Sequence, residues 1–229
     1  IAFLSYTFDT NKIPISGFEY AVNVCTSDYL DDASTISYDK MAADIASTKT
    51  AGADYIIIFM SWGAEFAKEP NDQQIELSDF LIAQGADVIV GGHCRVPQPM
   101  DARTVVDING NNKTGFVSYC LGNFLAAQTD EATDISGILN LKVAKDTDTG
   151  ETWLSEVNYV PIFIANLNKL GVEGQSWQYR VFDLHMALAS TNAGTPLEFV
   201  NDEVYAYMTK SMETLHNALG VHYDIYTEK

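Results

Sequence analysis

Three short apolar segments of the sequence each end in polar residues that could take part in chemistry. These residues are Ser61, Trp62 and Glu65 after the first segment, His93 and Arg95 after the second, and Asn123 after the third. Imidazole and carboxylate groups act as general acids and bases or bind metal ions, whereas a guanidinium pairs with phosphate or carboxylate. In open α/β sheets, ligands bind beyond the carboxyl ends of the strands. The sequence therefore predicts one site built from three strand ends.

The segments that must position these residues alternate between strand and helix patterns. Residues 1–7, 53–60 and 86–90 are apolar runs typical of buried strands. Helices are predicted over 39–50 and 71–84, and each ends near a glycine. Successive strand–helix–strand units predict an α/β fold whose parallel or mixed sheet is covered by helices.

The pattern changes beyond residue 100. β-rich arms flank the Asn109-Gly110 pair and the polar turn at 146–150, and both arrangements predict hairpins. Residues 201–219 have the pattern of a helix that ends at Gly220. The strands of the C-terminal half are therefore predicted to be antiparallel.

Composition excludes several classes of protein. The chain has 229 residues and a formal net charge of −18, with 31 acidic and 13 basic residues. Such a surface repels phosphate backbones, so nucleic acid is not an expected partner. No apolar run reaches the about 18–20 residues that a membrane span needs. The three cysteines contain no C-x-x-C pair, which argues against a zinc knuckle.

Two of the candidate residues have an equally simple structural interpretation. His93 could bind a metal or transfer a proton, or it could be a hydrogen-bonded residue that anchors its loop. Arg95 could hold an anionic group, or it could form an ion pair with a nearby carboxylate. The carboxylates in question are those of Asp87, Asp101 and Glu65.

The remaining candidate residues can likewise have either a functional or a structural role. Ser61 could act as a nucleophile only with a base within hydrogen-bond reach, and His93 is the only base available. Glu65 could be a general base or could cap its local turn. Asn123 could contact a ligand, or its amide could shape the Leu-Gly-Asn-Phe loop.

In their order along the chain, these motifs resemble the poly-γ-glutamate capsule biosynthesis (CapA-type) family of metallophosphatase-like proteins. The matching pieces are Trp62-Gly63-Ala64-Glu65, Pro70 with Gln73, Gly85-Ala86-Asp87 through His93, Gln98-Pro99, and Tyr119 through Phe124. The resemblance implies a layered α-β-β-α sandwich. It further implies that residues 1–185 form the C-terminal portion of such a domain and that 186–229 form a helical extension.

The chain departs from this family at two metal-binding positions. Ser61 and Arg95 stand where the family carries histidines. The resemblance implies that His93 is the surviving ligand of a divalent ion (Mn, Fe, Zn or Mg), but a hydroxyl and a permanent cation in place of two imidazoles argue against firm binding. By the same resemblance, Glu65 and Asn123 would join His93 as catalytic residues. Arg95, Ser61 and Trp62 would bind substrate.

Two functions follow from the resemblance. The first is the biosynthesis, export or anchoring of an anionic capsule polymer, poly-γ-glutamate, by an extracytoplasmic bacterial protein. If active, it would be a metal-dependent hydrolase or transferase of phosphoesterase type. The second is a non-catalytic binding or scaffold protein that uses the strand-end pocket to hold an anionic ligand.

The resemblance also suggests partners. The expected ligands are an anionic polymer or a small anion, and any membrane contact would come through a segment outside this sequence. An N-terminal half of the domain, or a neighbouring copy, would cover the strand at 1–7. The loops that carry Cys94 and Cys120 would be adjacent, which predicts that the two thiols pack closely or lie within reach of a disulfide. The alternative is that both are ordinary small hydrophobic residues of the core.

Overall fold

The computed structural model describes residues 1–31, 34–171 and 178–220, and within these residues two β-sheets are combined with four α-helices. The elements in chain order are β1 (Ala2–Thr7), α1 (Tyr38–Thr50), β2 (Ile56–Ser61), α2 (Asp72–Gln84), β3 (Val88–Gly92), β4 (Pro97–Val106), β5 (Asn112–Leu121), β6 (Ile135–Lys145), β7 (Thr152–Asn166), β8 (Tyr179–Asp183), α3 (Leu184–Asn192) and α4 (Asp202–Leu219).

The larger sheet is mixed, and the smaller one is antiparallel. Five strands follow the order β1-β2-β3-β5-β4, in which all neighbours are parallel except β4, which runs antiparallel to β5. The second sheet has the order β6-β7-β8, and both of its pairings are antiparallel. The predicted α/β class, the mixed sheet and the antiparallel C-terminal half are confirmed.

The second helix begins and ends at signals present in the sequence. The Asn71 side chain accepts from the Gln74 backbone N–H at 2.9 Å, and the Gln74 side chain accepts from the Asn71 N–H at 3.1 Å. This reciprocal capping box satisfies two amides that the first turn leaves without helical partners. At the other end, Gly85 takes a φ of 121° and ends the helix.

Two apolar clusters cover opposite faces of the larger sheet. On one face, α1 and α2 pack Met41 and Leu81 against strand residues such as Ile58. On the other face, Val88 joins a cluster with Phe163 of the smaller sheet and with residues of α3 and α4. The layers agree with the predicted α-β-β-α sandwich. Because α4 contacts β4, β6 and β7, it packs into the same core, and the boundary at residue 185 stays a prediction.

The strand β1 lies at the edge of the larger sheet. Within the described residues only its carboxyl end is covered, where the Thr7 backbone donates to the Asn23 carbonyl at 3.0 Å and accepts from the Cys25 N–H at 2.9 Å. Phe3, which is 64% exposed, stacks on the half-exposed Phe59 of β2 with ring centroids 6.3 Å apart. The face of β1 and β2 that is turned away from α1 and α2 is therefore partly open.

Across the described ranges, no helix combines the length and the apolar character that crossing a membrane requires.

A pair of leucine truncations tests where the core lies. Leu81 of α2 is fully buried in the cluster that packs on the larger sheet. Leu81→Ala should therefore lower the free energy of unfolding by about 2–5 kcal/mol, because apolar burial is lost and a cavity is left behind. The same change at Leu125, which is 59% exposed, should cost less than about 0.5 kcal/mol. Urea unfolding of both variants measures the difference, and equal losses would contradict this core.

Candidate functional site

The loops that follow β2, β3 and β5 meet at one end of the larger sheet. The backbone N–H of Trp62 donates to the Gly92 carbonyl at 3.3 Å, and the Phe66 N–H donates to the Cys94 carbonyl at 2.8 Å. The Trp62 indole Nε1 donates to the Tyr119 carbonyl of β5 at 2.9 Å. The first two strand ends are thus joined by their own backbones, and the indole connects them to the third.

Gly91 makes the indole contact sterically feasible. A Cβ atom at this position would lie 1.9 Å from the Tyr119 carbonyl oxygen and 2.4 Å from the Trp62 Nε1. Both distances are far below van der Waals contact, so any side chain would push β3, β5 and the indole apart. The first glycine of the Gly-Gly pair is therefore required by packing.

Trp62 forms the floor beneath the site. Its side chain is only 2% exposed, and its ring stacks on Tyr119 with centroids 6.1 Å apart. The indole accordingly holds the loops in place from below. The predicted contact between Trp62 and a substrate stays a prediction, and it would need the ring to become accessible.

Arg95 forms an ion pair with Glu65. Its Nη2 donates to Glu65 Oε1 at 2.6 Å, which joins the loop after β3 to the loop after β2. Of the three carboxylates considered as partners, the structure selects Glu65, because Asp87 pairs with Lys113 and Asp101 pairs with Arg103. Arg95 keeps an unused donor, since its Nε is buried without a hydrogen-bond partner.

The ion pair changes the acidity of Glu65. The hydrogen bond from Arg95 lowers the pKa of the Glu65 carboxyl below its ordinary value, and the charges of Arg95 and His93 act in the same direction. A carboxylate with a lowered pKa is a weaker base at neutral pH. Glu65 is therefore better suited to hold Arg95 than to accept a proton.

His93 is exposed at the tip of its loop, next to this pair. Its φ is 88° and that of Arg95 is 66°, so both non-glycine residues flanking Cys94 have left-handed backbones. Such conformations are uncommon and cluster at functional sites. Among the described residues the imidazole makes no hydrogen bond, so it does not anchor the loop in the way that the structural interpretation supposed. Its nitrogens are open to a ligand or a proton.

Ser61 ends β2 beside a separate opening. It lines a cavity of about 500 Å³ together with Thr7 of β1, Gly92 of β3 and residues of the 21–23 segment. The cavity lies at the carboxyl ends of β1, β2 and β3, and most of its wall is apolar, with the hydroxyls of Thr7 and Ser61 and the Asn23 side chain among its polar groups. A small ligand with both apolar and polar parts could enter here.

Asn123 shapes the loop after β5. Its Nδ2 donates to Gln128 Oε1 and to the Thr133 carbonyl, both at 3.1 Å, so both amide hydrogens are used. The structure does not bring this amide into contact with Glu65 or Arg95. The loop-shaping interpretation accounts for these contacts, and a catalytic role for Asn123 stays a prediction.

Two buried glutamines fix the loop after β2, and the sequence analysis did not assign them this role. Gln98 is fully buried, donates to the carbonyls of Ala67 and Glu69 at 2.9 and 3.1 Å, and accepts from Gln74 Nε2 at 3.0 Å. Gln74 is therefore the residue that makes these contacts, whereas its neighbour Gln73, which belongs to the motif, is exposed. The signal that could have identified Gln74 is the capping box beginning at Asn71.

Cys94 and Cys120 are neighbours in the floor of the site, as the resemblance implied. The Cys94 thiol donates to the Trp62 carbonyl at 3.3 Å. Backbone N–H groups of Gly122, Cys94 and Arg95 help to lower the pKa of Cys120. The hydrogen bond between the thiols lowers the pKa of Cys120, while the same bond and burial raise the pKa of Cys94.

The residues around His93 do not fit a divalent metal ion as they stand. Zinc and similar transition-metal sites in proteins use three or more imidazole, thiolate or carboxylate donors, and the described part of the chain contains no such cluster. The nearest carboxylate, Glu65, is engaged by Arg95, and the guanidinium places a positive charge where a cation would have to bind.

Comparisons with known proteins agree with the motif resemblance. Residues 1–128, more than half of the chain, match the family model described as bacterial capsule synthesis protein PGA_cap. The chain belongs to this family.

Two curated relatives bear corresponding names. The PGA biosynthesis protein CapA of Bacillus subtilis (strain 168) is 32% identical over 94 residues, which are 41% of this chain and 22% of the relative. The capsule biosynthesis protein CapA of Bacillus anthracis is 32% identical over 89 residues, 39% of this chain and 20% of the relative. The matched segment thus spans about a fifth of either relative.

One solved structure shows a weak likeness. It is the 5'-nucleotidase precursor from Thermus thermophilus, with a TM-score of 0.28 and 13% identity over 81% of this chain and 27% of that one. A likeness at this level carries no argument about function.

Two neighbouring glycines provide a matched test of the site's floor. Gly91→Ala should lower the free energy of unfolding by at least about 1–3 kcal/mol, because its methyl group would overlap the Tyr119 carbonyl and the Trp62 indole. Gly92→Ala should be nearly neutral, because a Cβ atom there meets no atom within 4 Å. Denaturant unfolding followed by tryptophan fluorescence compares the two. Tolerance of alanine at position 91 would show that the floor is not packed as described.

The ion pair makes a prediction about pH. Arg95→Ala should raise the pKa of Glu65 towards its ordinary value, as measured by carboxyl chemical shifts in an NMR titration. Since the folded pKa is lowered, the pair stabilises the fold above the unfolded pKa, and this contribution is lost as the pH falls through the folded pKa. The control is Arg180→Ala, which removes an exposed guanidinium paired with Glu198. A Glu65 pKa that does not move in Arg95→Ala would contradict the pairing.

Proposed function

We propose that this protein takes part in the biosynthesis, export or anchoring of an anionic capsule polymer, poly-γ-glutamate, and that it acts outside the cytoplasm. Membership in the capsule synthesis family and the names of the two curated relatives support the proposal. The match covers about a fifth of each relative, so the part played by this chain has to be argued from its own residues.

The site is proposed to hold an anionic group rather than to hydrolyse a bond. The observation that carries this proposal is the Arg95 guanidinium, which lies at the meeting point of two loops where the family resemblance places a metal-ligating histidine. A guanidinium recognises carboxylates through paired N–H groups. Poly-γ-glutamate presents a free carboxylate on every residue.

In this proposal, Glu65 competes with the anionic ligand for the Arg95 guanidinium. It occupies one side of the Arg95 guanidinium in the absence of ligand, and the Arg95 Nε remains without a partner. An incoming carboxylate would displace Glu65 or share the guanidinium with it. In a protein with a net charge of −18, such a local positive group is what would offset the general repulsion of an anionic polymer.

A hydrolase is the second candidate, and His93 is the observation that favours it. The imidazole is exposed, lies near Glu65 and has no hydrogen-bond partner among the described residues. Those properties suit a group that transfers a proton. In this candidate function His93 would act as the acid or base, and the reaction would be of phosphoesterase type.

Two substitutions with opposite expected effects test the binding function. Arg95→Ala should weaken binding of a short γ-linked glutamate oligomer by about tenfold or more, because the guanidinium is lost. Glu65→Gln should strengthen it, because the guanidinium is released from its ion pair. Isothermal titration calorimetry at fixed salt measures both, with Arg180→Ala as the matched control.

The outcomes separate the alternatives. If both substitutions weaken binding, the pair is structural and the proposal fails. If the oligomer does not bind at all, the proposal also fails. Turnover of a generic phosphodiester with added manganese, lost on His93→Ala, would instead support the hydrolase.

A further inference from the structure

The pair formed by Cys94 and Cys120 has no part in the proposed function, and the fold places the two residues close together. Cys94 lies in the loop after β3, and Cys120 is the penultimate residue of β5. The two residues are 0% and 1% exposed, and both thiols are free in this structure. Cys25, the third cysteine, is also buried and lies elsewhere, hydrogen-bonded through its backbone to Thr7 of β1.

We propose that Cys94 and Cys120 form an intramolecular disulfide when the folding protein meets a small-molecule disulfide. Gln74 Nε2 lies 4.0 Å from the Cys94 sulfur and donates to Gln98 Oε1 at 3.0 Å, and Gln98 pairs with Cys120 in the β4–β5 ladder. The hydrogen bond between the two thiols, which raises the pKa of Cys94 and lowers that of Cys120, agrees with this placement. A disulfide would therefore join two chain segments that the fold already holds close together.

Both chain segments are held in place independently. The pairing of Gln98 with Cys120 fixes the latter in the β4–β5 ladder. Cys94 is held by its thiol contact with the Trp62 carbonyl at 3.3 Å and by Gln74 Nε2 at 4.0 Å. A Cβ atom at Gly63 would approach the Cys94 sulfur to 2.8 Å, so the sulfur is enclosed on that side as well. The neighbouring position of the two thiols is therefore a property of the fold.

The proposed reaction is thiol–disulfide exchange. The thiolate of one cysteine attacks a sulfur of the small disulfide, forming a mixed disulfide and releasing one small thiolate, which takes up a proton. The second cysteine loses its proton to solvent and attacks the mixed disulfide, which forms the protein disulfide and releases the second small thiolate. In total, two protein thiols are oxidised and one small disulfide is reduced to two thiols. Because both sulfurs are buried, the exchange takes place during folding or local opening.

The cross-link would act on the loop that carries the candidate site. His93 and Arg95 flank Cys94 and have φ values of 88° and 66°. Backbones of this kind cost energy and persist only where the surroundings hold them. A disulfide to β5 would fasten the loop covalently at its centre and would restrict its opening.

The experiment counts thiols in a chain with only the relevant pair. The Cys25→Ala variant retains Cys94 and Cys120 as its two cysteines. This variant is unfolded and then refolded in a mixture of oxidised and reduced glutathione. The refolded protein is denatured, and its free thiols are alkylated. We expect no free thiol and a cross-linked peptide joining residues 94 and 120 by mass spectrometry. Two free thiols after this treatment would overturn the proposal.

The wild-type protein provides a second measurement in case Cys25→Ala does not fold. It should retain one free thiol per chain, assigned to Cys25. Cross-linked peptides that contain Cys25, or three free thiols, would overturn the proposal. Cys94→Ser is the matched control and should give no cross-link to Cys120.

Amide hydrogen exchange tests the effect on the loop. Oxidation should slow exchange of the 92–96 amides by about tenfold or more relative to the reduced protein, because the opened conformations of the loop become less accessible. Exchange at the 109–111 turn serves as an internal reference. Equal exchange at 92–96 in the two redox states would overturn the claim that the cross-link restricts the loop.

Discussion

The hydrogen bond from the Trp62 indole to the Tyr119 carbonyl, formed across Gly91, is the contact on which the site depends. It spans β3 and ties the end of β2 to β5, so the strand ends are joined in a fixed order. The bond is available only because β3 lacks a side chain at this point. The loop with His93 and Arg95 is held in place through this contact, because its backbone is hydrogen-bonded to the loop that carries Trp62. Since the indole is buried and its one donor is satisfied, the arrangement resists loosening by water.

The chemistry that this floor supports depends on the charge of Arg95. Its guanidinium attracts anions, and the neighbouring carboxylate of Glu65 is its partner. The same pair lowers the basicity of Glu65, which weakens the case for acid–base catalysis by that residue. Of Glu65, Arg95 and His93, the exposed His93 is left as the candidate for proton transfer. The site thus favours an anion beside Arg95.

The sequence predicted most of the fold because its signals were local. Strands β2 and β3, the helices α1, α2 and α4, and the two hairpins agree with apolar periodicity, caps and turn residues. The start of β4 was missed because Pro97 and Pro99 argue against a strand, and they are tolerated because β4 is an edge strand. The parallel pairing of β5 with β3, the short strand β8 and the helix α3 depend on contacts distant in sequence. The ion pair of Arg95 could be named only as one alternative among three, because spacing along the chain does not choose between carboxylates.

Within the described residues, β1 is covered only at its carboxyl end, and this has a consequence for the behaviour of the protein in solution. Hydrogen-bonding direction alternates along a strand, so the backbone groups of Phe3 and Ser5 point to the same side as those of Thr7, the side that the segment at 23–25 covers only at its end. Two aromatic rings lie beside them. This combination is a template on which another extended chain can add main-chain hydrogen bonds and bury apolar surface without any unfolding. Among the described residues, the backbone groups of Phe3 and Ser5 are therefore a place where two molecules can associate despite the net charge of −18.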